Sequence, residues 1–103
     1  MDGYLQDFNI TRGVAEVERL KVALISELAK LYAAMGSRGG AGDCAEAIAG
    51  MILSCYLLSA KLGSPPEDID RRAARLLRGD MFDGDVPDAG KAALLGYITK
   101  RQG

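Results

Sequence analysis

The sequence predicts an all-α fold of four helices. Apolar residues recur at steps of three and four, glycine or proline marks each helix boundary, and no segment shows the two-residue period of a strand. The helices are expected near residues 12–35, 43–62, 65–78 and 88–100, with the first two antiparallel. A chain of 103 residues is long enough for one domain. We expect that domain to span residues 1–103, with an N-terminal arm at 1–10 and an acidic loop at 79–87.

The first helix is predicted from an apolar stripe that faces the core and contains Val17, Leu20, Leu24, Leu28, Leu31 and Met35. Thr11 is expected to be its N-cap. Four glycines between Gly36 and Gly42 cannot continue a helix and predict a hairpin loop. A phosphate-binding P-loop would need a preceding strand and a Lys-Ser or Lys-Thr pair after the last glycine. Neither is present, so we interpret the glycines as a loop.

The second helix is apolar on almost every side. One stripe contains Ile48, Ile52, Cys55, Leu58 and Leu62, and the flanks contain Met51, Leu53, Tyr56 and Leu57. Such a helix must be covered on more than one side, and a short chain has few elements to cover it. We therefore expect a homodimer that can pair again into a tetramer, with Met51, Leu53 and Tyr56 at the interface. The remaining stripe is small and polar, and any chemistry is expected there: Asp43, Glu46, Ala47, Gly50, Ser54 and Lys61.

The third helix has an explicit start signal, in which Ser64 is the expected N-cap and two prolines follow it. Its inward residues are expected to be Ile69, Ala73, Leu76 and Leu77. Asp88 is expected to cap the last helix, which has Ala92, Leu94, Leu95 and Ile98 as apolar contacts. The acidic residues of the 79–87 loop do not follow the ligand spacing of an EF-hand, so no calcium site is expected.

Composition excludes several classes of function. The chain contains no histidine, which removes a histidine general base and a histidine metal ligand. A net charge of −1 provides no field that attracts nucleic acid or an anionic membrane. Cys44 and Cys55 lie about 16 Å apart along one helix, too far for a disulfide, so we expect reduced thiols and a cytoplasmic protein. The N-terminus lacks a signal peptide, and the uncharged run 47–60 is shorter than the ~20 residues that span a bilayer.

Three segments resemble a known family: SELAKL at 26–31, EAIAGM at 46–51 and LLSAKLG at 57–63. They are similar to motifs of the MazG and dUTPase-like all-α nucleotide pyrophosphohydrolases, and the overall layout resembles a short MazG-like branch of bacterial proteins. The resemblance implies a MazG-like four-helix bundle completed by oligomerisation. It also implies a site in which four carboxylates, from an EExxE motif and an ExxD motif, bind Mg²⁺ and with it a nucleoside triphosphate.

The departures from those motifs determine the expected function. Glu27 matches the first motif, but Lys30 stands where the last glutamate of that motif belongs, and the ExxD pair falls on Ala47 and Gly50. Glu46 lies one residue before the expected glutamate. A single one of the four ligands remains, and Mg²⁺ needs an octahedron of oxygen ligands. We therefore expect no metal and no cofactor.

The sequence leads to one hypothesis and two alternatives. The hypothesis is a catalytically inactive oligomeric scaffold or regulator that binds a nucleotide-like ligand. Glu27, Asp43 and Glu46 are its candidate vestigial site residues, and Lys30 and Lys61 are possible anion contacts. A structural interpretation is that Glu27 pairs with one of these lysines. The first alternative is a divergent Mg²⁺-dependent nucleoside triphosphate pyrophosphohydrolase that uses the same three acids together with the acids of the 80–88 loop. The second is a pure protein–protein interaction module.

Overall fold

The computed structural model describes residues 2–36, 40–79 and 88–102, and within them it contains four α-helices and no strand. The helices are α1 (Asp2–Gly36), α2 (Ala41–Lys61), α3 (Pro66–Arg78) and α4 (Asp88–Gln102). The prediction of an all-α fold is confirmed. The chain divides after Gly63 into two compact units, and α1 and α2 pack together in the first while α3 and α4 pack together in the second. The predicted acidic loop, apart from Gly79, lies outside the described residues.

The start of α1 differs from the prediction. The helix begins at Asp2, so the segment expected to be an N-terminal arm has helical backbone, and Thr11 lies inside the helix rather than at its N-cap. No proline interrupts the sequence between residues 2 and 10. The glycine-rich segment ends α1 as predicted, and α2 follows an N-cap at Gly40.

Small residues of α2 pack against α1. Within the described part of α2 the buried residues are Ala47 and Ser54, which are 3% and 8% exposed, and Gly50 between them is half-buried. Small side chains allow two helix backbones to approach closely. The large apolar side chains of α2 are therefore directed elsewhere, and Ile48 and Ile52 are 45% and 49% exposed. The single chain covers α2 on the side that packs against α1, and the expectation that another copy covers the remaining sides stays a prediction.

Two contacts join α1 and α2 at separate points along the helices. Lys61, in the last turn of α2, forms an ion pair with Glu16 of α1, and Arg12 lies 3.3 Å from the same carboxylate. The hydrogen bond from Lys61 is the main cause that lowers the pKa of Glu16 below its ordinary value, and Arg12 adds to it. Farther along the pair, Gly50 lies against Glu27.

The unit of α3 and α4 has a small apolar core of Ala74, Leu77 and Ile98, with Ala73 and Leu95 packed against it. Leu76 and Leu94, which were expected to face inward, are 46% and 47% exposed. Each lies one residue from a buried or half-buried neighbour, and a helical step of about 100° turns it out of a core this narrow.

The N-cap of α3 is Pro65 rather than Ser64, and no side-chain hydrogen bond caps this helix.

Ion pairs lie within α3 and between α3 and α4. Asp68 accepts a hydrogen bond from Arg72 at 3.0 Å, and this bond is the main cause that lowers the pKa of Asp68. Asp70 is buried and forms an ion pair with Arg101 of α4 at 3.2 Å, which connects the two helices. Arg101 also lies over the Tyr97 ring, 5.6 Å from its centroid.

Candidate ligand cavity between the first two helices

Glu27 lies at a contact between α1 and α2. Its side chain is 22% exposed, and a Cβ atom added at Gly50 would lie 2.7 Å from Glu27 Oε2. Glycine at position 50 therefore gives the carboxylate its space. The ammonium of Lys30 donates a hydrogen bond to Glu27 Oε1 at 2.9 Å. Glu27 therefore pairs with Lys30, one of the two lysines expected from the sequence. Both residues belong to α1, and the carboxylate of Glu27 lies against Gly50 of α2.

A cavity of about 430 Å³ surrounds this pair. Its lining comes from both helices and consists of Glu27, Lys30, Ala34, Asp43, Glu46, Ala47, Ala49, Gly50 and Leu53. Four of the five candidate site residues from the sequence therefore lie at one cavity. The fifth, Lys61, is elsewhere in the hairpin and pairs with Glu16.

The residues expected at the interface differ in their exposure and in whether they line the cavity. Leu53 is 62% exposed and lines the cavity, whereas Met51 and Tyr56 are half-buried and are not part of the lining. The small residues Ala47 and Gly50 form the floor of the cavity, which agrees with the sequence-based expectation that the small stripe of α2 carries any site. Sequence reasoning missed Ala34 and Ala49. Their small size was the available signal, because a cavity between packed helices needs positions without large side chains.

The cavity is negatively charged. Three carboxylates line it, and the ammonium of Lys30 compensates one of them. Asp43 and Glu46 are exposed and lie in the first part of α2, where an acidic side chain is favourable at the helix N-terminus. A fully ionised triphosphate entering alone would be repelled by these acids.

The donor set does not fit Mg²⁺. Nowhere among the described residues do three or more acidic or cysteine side chains come together in a group able to hold a metal ion. Glu27 is engaged by Lys30, and the facing positions in α2 are Ala47 and Gly50, which provide no oxygen ligand. An ammonium beside the one inner carboxylate opposes a second cation at the same place.

Comparison with models of protein families identifies the family to which the chain belongs. The model of the MazG-like family matches residues 10–84, which cover α1, α2 and α3 from Ile10 onward. The chain belongs to the MazG-like family. No curated protein and no solved structure matches it. In this MazG-like protein, the positions that the resemblance assigns to the family's acidic motifs, Glu27, Lys30, Ala47 and Gly50, all line the one cavity.

Helix α2 has a further property that bears on its surroundings. By length and composition alone it could cross a membrane, because its mean hydropathy reaches 1.4 over 18 residues, of which 11% are buried. Core helices of soluble proteins also pass this test, but they are mostly buried. The apolar surface of α2 therefore requires a cover that the single chain does not provide.

Proposed function

We propose that this MazG-like protein is a homo-oligomeric scaffold or regulator of the cytoplasm that has no pyrophosphohydrolase activity. The observation that carries the proposal is the Glu27–Lys30 pair over Gly50. Hydrolysis of a nucleoside triphosphate by a metal-dependent pyrophosphohydrolase requires an ion that neutralises the phosphates and activates water. In this cavity an ammonium occupies the place beside the inner carboxylate, and two of the facing positions have no carboxylate at all.

The proposal includes a hairpin of antiparallel helices that a second copy completes. Two contacts support the antiparallel order, since Glu16 meets Lys61 while the later residue Glu27 meets the earlier residue Gly50. Exposure supports the oligomer. No large side chain in the described part of the chain is fully buried, and the described buried residues of the hairpin are small. Two packed helices cannot by themselves form a core of ordinary size.

The cavity is the proposed site of a nucleotide-like ligand. Its volume of about 430 Å³ lies within the range of small-molecule sites. Alanine and leucine side chains supply apolar walls for a base or a sugar, and the three carboxylates supply hydrogen-bond acceptors. Because those acids repel phosphate, we expect a nucleoside to bind more tightly than its triphosphate. Lys30 is the expected contact for any anionic group.

Two alternatives retain specific support. A divergent Mg²⁺-dependent pyrophosphohydrolase is favoured by the presence of Glu27, Asp43 and Glu46 at one cavity. That enzyme would have to break the Glu27–Lys30 pair before the acids could act together. A pure protein–protein interaction module is favoured by the exposed apolar surface of α1 and α2. That alternative predicts no small-molecule binding.

A hydrolysis screen tests the proposal against the first alternative. The protein is incubated with Mg²⁺ and each of a set of ordinary and modified nucleoside triphosphates, and pyrophosphate and phosphate release are measured. We expect no turnover. The variant Glu27→Gln should change thermal stability or ligand binding more than any rate. Turnover that Glu27→Gln abolishes would establish an enzyme with a rebuilt site.

Glu18→Gln is the matched control. Glu18 pairs with Lys21 at 3.0 Å, with the same three-residue spacing as Glu27 and Lys30, but it does not line this cavity. Thermal shift with nucleosides and nucleotides then separates the ligand-binding proposal from the interaction module. A shift that Glu27→Gln reduces and Glu18→Gln leaves unchanged supports the cavity as the site. The absence of any shift favours the interaction module.

A further inference from the structure

The hairpin of α1 and α2 has two different sides. The cavity lies on one of them, where Lys30 of α1 and Leu53 of α2 both contribute to the lining. Successive helical residues are rotated by about 100°. This rotation places Leu28 of α1 and Ile48 and Ile52 of α2 on the flanks away from the cavity. Since the cavity identifies matching flanks of the two helices, the opposite flanks also lie together.

The side opposite the cavity is strongly apolar. We define the apolar face as its eight large exposed apolar residues: Val14, Ile25, Leu28, Tyr32 and Met35 of α1, and Ile48, Ile52 and Leu62 of α2. Their exposed fractions run from 39% to 69%. On the cavity side of the described hairpin the large exposed apolar residues are Val22, Leu53 and Leu57. The two sides therefore differ in how much apolar surface they present.

The apolar face has the area that a homodimer interface needs. If a fully exposed side chain of this size presents roughly 110 Å² of apolar surface, the face presents on the order of 500 Å². Two copies would then bury about 1,000 Å² of apolar area. A stable interface buries about 1,200–2,000 Å² in total, of which about 65% is apolar in homodimers, or roughly 800–1,300 Å². A second copy of this chain therefore matches the face in area.

Charge also favours a second copy. Within residues 12–35 and 41–62, Lys21 is the charged residue nearest the centre of this side, and it is already paired with Glu18 of the same helix at 3.0 Å. The face has no acidic or basic row that would recognise an oppositely charged partner. It also lacks the several flanking lysines and arginines typical of a helix that lies on an anionic lipid surface. An uncharged surface that matches itself is suited to a symmetric contact.

We propose that the apolar face is the homodimer interface and that the cavity side remains open to ligand. This inference rests on the oligomeric part of the proposed function and specifies the surface that forms the oligomer. It places Leu53 outside the dimer contact.

Two adjacent residues provide a matched pair of variants. Ile52 lies on the apolar face and Leu53 on the cavity side, and they are 49% and 62% exposed in the single chain. Light scattering of the unaltered protein at micromolar concentration should show a dimer or larger species. We expect Ile52→Glu to raise the dimer dissociation constant at least tenfold and Leu53→Glu to leave it unchanged. The reverse pattern would overturn the assignment of the face while leaving the homo-oligomer intact.

Cys55 allows a second measurement that needs no disruptive variant. It is exposed in the single chain, and its helical position places it beside Ile48 and Ile52. We expect alkylation of Cys55 to be at least tenfold slower at concentrations where the dimer forms than after dilution to monomer. Equal rates would refute the proposal even if Ile52→Glu failed to fold.

The remaining outcomes separate this inference from the function proposed above. A folded monomer at micromolar concentration would overturn both the apolar-face dimer and the homo-oligomer. If that monomer sedimented with neutral phosphatidylcholine vesicles, lipid would be the occupant of the face. The hydrolysis screen is independent of these results, so a dimer through the apolar face that hydrolyses triphosphates would refute the inactive-scaffold proposal alone.

Discussion

Replacing Gly50 by alanine should reveal the contact between Glu27 and α2. Alanine is more favourable than glycine in a helix interior by about 0.8–1.0 kcal/mol. The new Cβ atom, however, would lie 2.7 Å from Glu27 Oε2 and 2.8 Å from its Cδ, so the side chain of Glu27 must move. Moving it costs about 0.5–1.5 kcal/mol if the rotamer is strained, and weakens a pair with Lys30 worth about 0.3–0.5 kcal/mol. We therefore expect the cost to cancel or exceed the gain, so that Gly50→Ala raises the free energy of unfolding by at most about 0.5 kcal/mol or lowers it by up to about 1 kcal/mol.

The same change should be stabilising when Glu27 is absent. In a Glu27→Ala background no carboxylate lies over position 50, and Gly50→Ala should stabilise the fold by nearly the full ~1 kcal/mol of helix propensity. The difference between the two backgrounds is a coupling energy of about 0.5–1.5 kcal/mol. Urea unfolding followed by circular dichroism at one fixed protein concentration measures all four proteins of the cycle.

Gly13→Ala is the control for this cycle. Gly13 is also within α1, but a Cβ atom there meets nothing within 4 Å. We expect it to stabilise the fold by about 0.5–1 kcal/mol in both backgrounds, without coupling to Glu27. If Gly50→Ala were equally stabilising with and without Glu27, the carboxylate would not occupy the floor of the cavity. The argument against metal binding at this site would then lose its main support.

The ion pairs provide three further predictions. Because the folded pKa of Glu16 is lowered, its pair with Lys61 stabilises the fold above the ordinary glutamate pKa of about 4.3 and loses that effect as the pH falls through the folded value. Lys61→Gln should therefore flatten the acid limb of a plot of unfolding free energy against pH, and an unchanged limb would contradict the pairing. Asp70→Ala should destabilise the fold by about 1–3 kcal/mol in urea unfolding, because it removes the buried partner of Arg101. Arg72→Ala should cost less than about 0.5 kcal/mol and leave the light-scattering mass unchanged, since its pair with Asp68 is exposed.

The ends of the helices were partly readable from the sequence. Gly36 stops α1 and the prolines open α3 because each residue restricts the backbone directly, whatever surrounds it. Caps were less predictable. Thr11 has the right chemistry for an N-cap, but the residues before it also accept a helical conformation, and the helix continues through it. Ser64 loses its capping role to the next residue, where Pro65 takes the extended backbone conformation.

The direction in which α2 faces could not be read from the number of its apolar residues. Large side chains were expected inside, yet Ala47 and Ser54 are the buried residues of α2. The reason is that a contact between two helices is stabilised by close approach of their backbones as well as by burial of apolar area. The cavity was more predictable, since the resemblance brought positions 27, 30, 47 and 50 together before any geometry was known. The choice of Lys30 over Lys61 as the partner of Glu27 depended on distances that only the fold supplies.

Small residues stand in this hairpin at two positions where the resemblance to the pyrophosphohydrolases places metal-binding carboxylates, namely Ala47 and Gly50. Ala47 is 3% exposed, so a glutamate there would have to displace its neighbours or fill the cavity, where it would add a fourth carboxylate. A side chain at Gly50 would meet the carboxylate of Glu27, and an aspartate would add a like charge to the collision. Four carboxylates can face one another only when a cation lies between them. Here the helices are close instead, small residues fill the contact, and Lys30 supplies from α1 the positive charge that Glu27 requires.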